Sequence, residues 1–86
     1  MSYVTLPEPV IVGEWRKTRS AVIRVRLTTY ESHNLIDIRS WYRGKHGKLK
    51  PGKGFCASLS HLPKLIDALA EAARKAGELG SWQRLP

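Results

Sequence analysis

Two stretches near the middle of the chain alternate between apolar and polar residues, with the two-residue period of a β-strand. In the first stretch, one face carries Ile23, Val25 and Leu27, and the other carries Arg24, Arg26, Thr28 and Tyr30. In the second, one face carries Ile36 and Ile38, and the other carries Leu35, Asp37, Arg39 and Trp41. Between them lies a polar segment of Glu31, Ser32, His33 and Asn34. This alternation predicts a β-hairpin with one apolar face and one face of cations and aromatic rings.

Shorter patterns on either side of the hairpin predict two more strands and their connections. Residues 10–15 read as a first strand, and the basic residues 16–20 connect it to the hairpin. Residues 43–54 are rich in glycine and lysine, which predicts a loop with a short strand around residues 48–50. Residues 55–59 are then expected to form the last strand.

The last third of the chain has the spacing of an amphipathic helix. Ser60 is a suitable N-cap, Pro63 is tolerated in the first turn, and Gly77 is placed to end the helix. Its apolar side chains are Leu62, Leu65, Ile66, Leu69, Ala72, Ala73 and Ala76. We expect this face to cover the sheet, and its small alanines also permit contact with a second copy of the helix. The expected dimer interface consists of Leu62, Leu65, Ile66, Leu69 and Ala73.

The length of 86 residues predicts one domain. Residues 1–9 read as a flexible N-terminal arm, residues 10–79 as the domain, and residues 80–86 as a C-terminal tail. Trp82 in that tail either folds back onto the domain or marks a contact surface. The sequence has no membrane-spanning stretch and no signal-peptide pattern, so we expect a soluble cytoplasmic protein without a membrane partner.

The charge balance narrows the class of ligand. Fifteen Lys and Arg against seven Asp and Glu give a formal net charge of +8 at pH 7. Such a field attracts polyanions, which leaves nucleic acids, anionic membranes and acidic proteins as candidates. The cations are spread through strands and loops instead of lining one face of a helix, and this disfavours a membrane.

The sequence gives little support for catalysis. The single cysteine, Cys56, excludes an intrachain disulfide and lies in an apolar run, so we expect a buried, inert thiol. None of the histidines has the spacing of a metal-ligand pair. Asp37 lies between cations on the hairpin, where we expect an ion pair with Arg26 or Arg39. We therefore expect no enzyme activity, no metal site and no cofactor.

Rings and cations in the same short segment favour single-stranded nucleic acid as the ligand. Bases stack on aromatic side chains with roughly 1–3 kcal/mol each, while Arg and Lys neutralise the phosphates. The same pattern also fits an ordinary solvated sheet face, which often carries Arg, Thr and Tyr. An RNA-binding domain remains an alternative, as does an adaptor that docks acidic proteins through the basic loop. His33 in the turn is a further donor to phosphate, and Lys48 belongs to a basic rim.

The order of several short motifs gives more specific guidance. The motifs are Leu35-Ile36-Asp37-Ile38-Arg39-Ser40-Trp41-Tyr42, Gly47-Lys48-Leu49-Lys50-Pro51-Gly52 and Ala57-Ser58-Leu59. Their order, over roughly residues 14–76, resembles the positive-cofactor-four family of transcriptional coactivators in its short bacterial form. The resemblance implies an α+β fold, a curved four-stranded antiparallel sheet followed by one C-terminal amphipathic helix (ββββα). It also implies a homodimer formed mainly through that helix, with single-stranded DNA across the strands of both subunits.

The resemblance further implies a place at the nucleoid, in transcription regulation or in DNA repair and replication, with RNA polymerase or other transcription proteins as partners. By position, Tyr30 matches the family's base-stacking aromatic residue, and Arg39 and Tyr42 match positions linked to strand binding. Lys50 matches the lysine before the proline, and Lys53 matches a basic position in the following turn.

Two departures from the family pattern bear on the binding surface. Glu31 places an acid in the turn that usually carries glycine and lysine, and this acid should repel phosphate. The segment that begins at Lys53 is one residue longer than the family pattern, which leaves the direction of that lysine open. We infer that Arg24 and Arg26 restore the lost cations. The predicted binding residues are Arg24, Arg26, Tyr30, His33, Arg39, Tyr42, Lys48, Lys50 and Lys53.

Overall fold

The structure, a computed structural model, describes residues 6–80 of the chain. Its elements in order are β1 (Val10–Thr18), β2 (Ala21–Tyr30), β3 (His33–Arg43), β4 (Leu49–Ser58), a short 3-10 helix (Leu59–His61) and α1 (Leu62–Glu78). The strands form one antiparallel sheet in which sequence neighbours pair, so β1 and β4 are its edges. The predicted four-stranded sheet followed by one helix is confirmed. Trp82 lies outside the described residues.

β1 continues through residues that the sequence predicted to be a loop. Arg16 and Thr18 still pair with β2, so the predicted connection over residues 16–20 shrinks to a turn at residues 19–20. Polar residues are accommodated there because β1 is an edge strand with exposed side chains. The pairing of β1 with β2 slips between Ile11 and Gly13, which makes Val12 the extra residue of a β-bulge.

The turn between β2 and β3 is shorter than predicted. Only Glu31 and Ser32 lie outside the strands, and His33 and Asn34 already belong to β3. Both turn residues have positive φ, 49° for Glu31 and 67° for Ser32. Two successive left-handed residues match the right-handed twist of the flanking strands, and this is the reason that so short a turn closes the hairpin.

β4 begins at Leu49, six residues before the predicted start at Phe55, and it takes in most of the short strand predicted around residues 48–50. Pro51 and the glycines of this segment favoured a loop, but an edge strand tolerates proline because its missing N–H faces away from the sheet. A further bulge lies opposite Ser40, where the pairing slips between Arg39 and Trp41. Next to it, a Cβ added at Gly54 would overlap the Cβ of Arg39. β4 can therefore approach β3 this closely only with glycine at position 54.

α1 begins later than the predicted cap. The residue before it is His61, whose side chain makes no capping hydrogen bond. Ser58 has the role that was assigned to Ser60, because its Oγ accepts a hydrogen bond from the main-chain N–H of Ser60 at 3.3 Å, at the start of the 3-10 helix. Pro63 lies in the first turn of α1, as predicted.

The end of α1 also differs slightly from the prediction. The helix passes through Gly77 to Glu78, and the left-handed residue that follows is Gly80, with φ of +71°. On the exposed side of the last turns, Arg74 forms ion pairs with Glu71 and Glu78. No helix among residues 6–80 is long and apolar enough to cross a membrane.

The apolar face of the sheet, defined by Ile23, Val25, Leu27, Ile36 and Ile38, lies toward α1. An open cavity of about 330 Å³ lies between this face and the first half of α1, so in one chain the helix does not cover the sheet as predicted. It is lined by Trp15, Val25, Ile36, Ile38, Leu62, Leu65, Ile66 and Leu69. Within the described part of the chain, only Ile36 and Asp37 are buried. One copy of the chain therefore has very little closed core.

Candidate nucleic-acid interface

The other face of the sheet carries the polar half of the β2 and β3 alternation. Across these strands, Arg24 lies opposite Arg39, and Arg26 lies opposite Asp37. We use the name arginine face for the group formed by Glu14, Arg24, Arg26, Tyr30, Asp37, Arg39 and Trp41. Because partners in register share one side of a sheet, these side chains project together on the side away from α1.

Asp37 is the centre of the arginine face and is only 2% exposed. Its Oδ2 accepts a hydrogen bond from Nε of Arg26 at 2.9 Å, and its Oδ1 accepts one from Nε of Arg39 at 2.6 Å. A buried carboxylate is tolerated only with such charged partners. The sequence predicted a pair with one of the two arginines, and the carboxylate binds both.

Glu14 extends this arrangement onto β1. Its Oε1 accepts a hydrogen bond from Nε of Arg24 at 2.6 Å. The bulge at Val12 makes this contact possible, since an unbroken alternation from Val10 would turn Glu14 toward the apolar face. Glu14 was not predicted as part of this surface, because nothing in the sequence pattern of β1 marks the bulge.

Trp41 supports two of the arginines. The guanidinium carbons of Arg24 and Arg26 lie 4.7 and 4.9 Å from the centroid of its ring, at cation–π distance. The buried Nε1 of Trp41 has no hydrogen-bond partner among the described residues. With its ring in contact with guanidinium groups, Trp41 serves as a support for the arginines instead of an open platform for a base.

The three arginines keep most of their donors for a ligand. A guanidinium group has five N–H donors, and each of these arginines uses the single donor of Nε for its carboxylate. Nη1 of Arg39 also donates to the carbonyl oxygen of Gly52 at 3.3 Å. Among residues 6–80, no hydrogen bond engages the Nη groups of Arg24 or Arg26. The face thus presents cationic donors suited to phosphate oxygens.

Tyr30 and His33 lie opposite each other at the closed end of the hairpin. Tyr30 is the last residue of β2 and is 61% exposed, so its ring is open to a planar partner. His33 is the first residue of β3, not a turn residue as predicted. Both side chains lie on the arginine face, beyond Arg26.

Tyr42 and Lys50 belong to a different part of the surface. They pair with each other across β3 and β4, and Tyr42 also pairs with Ala21 at the start of β2. The alternation puts both on the same side of the sheet as Ile38, opposite to the arginine face. Ala21 and Tyr30 are nine residues apart on one strand, so the two tyrosines lie about 30 Å apart in one chain.

The loop between β3 and β4 is closed by its own hydrogen bonds. The main-chain N–H of Gly44 donates to the carbonyl oxygen of Lys48 at 2.8 Å, and Nη1 of Arg43 donates to that of Gly47 at 2.8 Å. Gly47 has φ of +76°. Lys48 is exposed in this loop, and Lys53 is exposed in the bulge of β4. Lys48 is therefore remote from Arg39 along the strands, whereas Lys53 is next to Gly54, which pairs with Arg39.

Cys56 is exposed, so the predicted buried thiol is wrong. It lies on β4 opposite Asp37, and within residues 6–80 no further strand covers this edge of the sheet. An apolar run is therefore a poor guide to burial on an edge strand. Among the described residues, no group of three His, Cys, Asp or Glu side chains is placed to hold a metal ion.

The residues predicted for a dimer interface fall into two groups. Leu62 and Leu65 are half-buried above the sheet, whereas Ile66, Leu69 and Ala73 are exposed in one chain. Large exposed apolar side chains also occur on β1, including Trp15.

Comparison with known proteins agrees with this architecture. Residues 13–68 match the family model described as Transcriptional Coactivator p15 (PC4). The fold is similar to the crystal structure of BPSL1147, a PC4 homolog from Burkholderia pseudomallei K96243, with a TM-score of 0.69. The two chains are 19% identical, over 83% of this chain and 97% of that one. No similar sequence was found among curated proteins.

The structural likeness concerns the fold, and the family assignment follows from the sequence match. That match covers more than half of the chain, including β2, β3, β4 and the arginine face from Glu14 to Trp41. The family is one of DNA-binding proteins with roles in transcription. The chain belongs to the family of transcriptional coactivator p15 (PC4).

Proposed function

We propose that this chain is a homodimeric, coactivator-like protein that binds single-stranded DNA with little sequence preference, through the arginine face. The observation that carries the proposal is the set of Nη groups on Arg24 and Arg26 without an acceptor among the described residues. Half-buried cationic donors of this kind are best satisfied by an external anion, and a phosphate backbone supplies anions at regular intervals.

The exposed ring of Tyr30 favours a single strand over a duplex. A base can stack on this ring only when its own face is free, which requires an unpaired strand. The sheet is also poorly shaped for a duplex groove. Four strands about 4.8 Å apart span more than the roughly 12 Å of the major groove.

The contacts that the arginine face can make with DNA imply little sequence preference. Guanidinium groups that bind phosphates and a ring that stacks on a base do not read the edges of the bases. The affinity should consequently fall steeply with salt, since each phosphate contact releases counterions.

The proposal of a homodimer rests on the exposed apolar side chains of the single chain. Ile66 and Leu69 are each 57% exposed beside the cavity under α1. A second copy seated against α1 would cover them. Sedimentation equilibrium should give twice the chain mass of 9.7 kDa, and a single-chain mass would refute this part of the proposal.

The experiment that tests the proposed function replaces Tyr30 by alanine. We expect the affinity for a short fluorescent oligothymidine, measured by anisotropy, to fall about five- to 150-fold, because one stacked base contributes roughly 1–3 kcal/mol. The melting temperature should hardly change, because the side chain is largely exposed.

The matched control is Tyr30→Phe, which keeps the ring and removes only the hydroxyl. Its affinity should stay close to that of the wild type. If Tyr30→Ala also binds like the wild type, the proposed position of the DNA is wrong.

A further inference from the structure

We infer that Asp37 and Glu14 are positioning residues that strengthen the binding of single-stranded DNA, although both have the same sign of charge as the ligand. The inference rests on the proposed function. Neither carboxylate has to touch the DNA, because each acts through the arginines that it holds.

Both acids bind the same atom of their arginines. Asp37 holds Arg26 and Arg39 by Nε, and Glu14 holds Arg24 by Nε. A guanidinium group is planar and rigid, so a bond at Nε fixes the direction of the remaining N–H groups. A carboxylate that bound the Nη groups instead would compete with phosphate for the same donors.

Two of the arginines are also held from two sides before any ligand arrives. Arg24 and Arg26 lie between their carboxylates and the ring of Trp41. Their side chains are only 16% and 23% exposed, and that of Arg39 is 25% exposed. Long side chains that are already ordered lose less conformational entropy on binding, which raises the affinity.

Charge alone predicts the opposite effect, and this makes the inference testable. Replacement of either acid by a neutral residue raises the formal net charge of +8 by one, which by itself strengthens the attraction of a polyanion. Loss of the Nε contact releases an arginine and weakens binding. The sign of the measured change therefore distinguishes the two effects.

The test compares Asp37→Asn and Glu14→Ala with the control Asp67→Ala, which removes an exposed acid of α1. Each protein is titrated with fluorescent oligothymidine between about 50 and 200 mM salt. We expect Asp67→Ala to bind as tightly as the wild type or tighter. We expect the other two variants to bind at least about fivefold more weakly than the wild type. The slope of log affinity against log salt concentration should become less steep by about one for each arginine released.

The salt dependence of binding and the melting temperature, measured together, distinguish an acid that positions an arginine from one that only stabilises the fold. Glu14 is 41% exposed, so Glu14→Ala should melt like the wild type and still show weaker binding with a lower slope. Should Asp37→Asn prove partly unfolded, the result for Glu14→Ala decides. Binding by Glu14→Ala that is as tight as that of Asp67→Ala would overturn the inference. Failure of the wild type to bind oligothymidine would instead contradict the proposed function.

Discussion

Gly54 illustrates how a single residue sets the distance between two strands. It pairs with Arg39, and an added Cβ would overlap Cβ of Arg39 and approach the carbonyl oxygen of Ile38. Gly54→Ala should therefore lower the free energy of unfolding by about 1–3 kcal/mol, because β4 has to move away from β3. Urea denaturation followed by circular dichroism measures this change.

The matched control for that substitution is Gly77→Ala. Gly77 lies inside α1, and apart from the adjacent backbone of the helix a Cβ there would have no described atom within 4 Å. Alanine should raise the free energy of unfolding by roughly 0.5–1 kcal/mol, since it lowers the entropy of the unfolded chain. Equal effects of the two substitutions would contradict the close contact at Gly54.

At the scale of residues, the sequence predicts contacts where the alternation is regular and misses them where it is not. Asp37 lies on a strand without irregularities toward β2, and its partnership with the neighbouring arginines was predictable. Glu14 was missed because a bulge upstream of it changes its side of the sheet. Cys56 was wrongly expected to be buried, because its exposure depends on β4 being an edge, which is a property of the whole sheet.

At the scale of elements, a substitution in the turn between β2 and β3 should raise the free energy of unfolding. Left-handed backbone costs an L-residue about 1–2 kcal/mol, whereas glycine adopts it without strain. Ser32 has φ of +67°, so Ser32→Gly should relieve this cost. Because glycine also gives the unfolded chain more entropy, the net rise in the free energy of unfolding should be about 0.5 kcal/mol. Thermal and urea unfolding of Ser32→Gly give this value.

Ser20→Gly is the control for the turn. Ser20 lies in the two-residue turn between β1 and β2 and does not have positive φ. Glycine relieves no strain there, so it should lower the free energy of unfolding by about 0.5–1 kcal/mol. If Ser32→Gly destabilises the protein as much as Ser20→Gly, the left-handed turn is not present in solution.

The elements themselves were predictable from periodicity, and their ends were not. The alternation of β2 and β3 has the two-residue period of a strand, and the apolar spacing of α1 has the 3.6-residue period of a helix, so both patterns predict their elements directly. The ends of a strand depend on how far the neighbouring strand extends beside it, and the periodicity of the sequence does not show this. Arg16 and Pro51 belong to strands because β2 and β3 extend beside them, although both look like loop residues.

At the scale of the whole molecule, one copy of the chain places two surfaces on opposite sides of one sheet. One side carries the arginine face with the exposed ring of Tyr30, and the other carries α1 above a cavity. The order of motifs predicted the four strands and the helix correctly. The alternation itself puts Tyr42 on the side of Ile36 and Ile38, away from Tyr30, and the register of β2 and β3 agrees. The resemblance to the family, by contrast, grouped both tyrosines as binding residues.

The measurement that tests the central claim most directly is competition for the wild-type protein loaded with fluorescent oligothymidine, at an ionic strength of about 0.15 M. Unlabelled single strand and unlabelled duplex of the same length are added separately, and the loss of anisotropy is followed. The proposed function predicts that the single strand displaces the probe at concentrations at least about tenfold lower than the duplex, because only unpaired bases reach Tyr30. Equal displacement by the two competitors would contradict the claim that this face binds single strands.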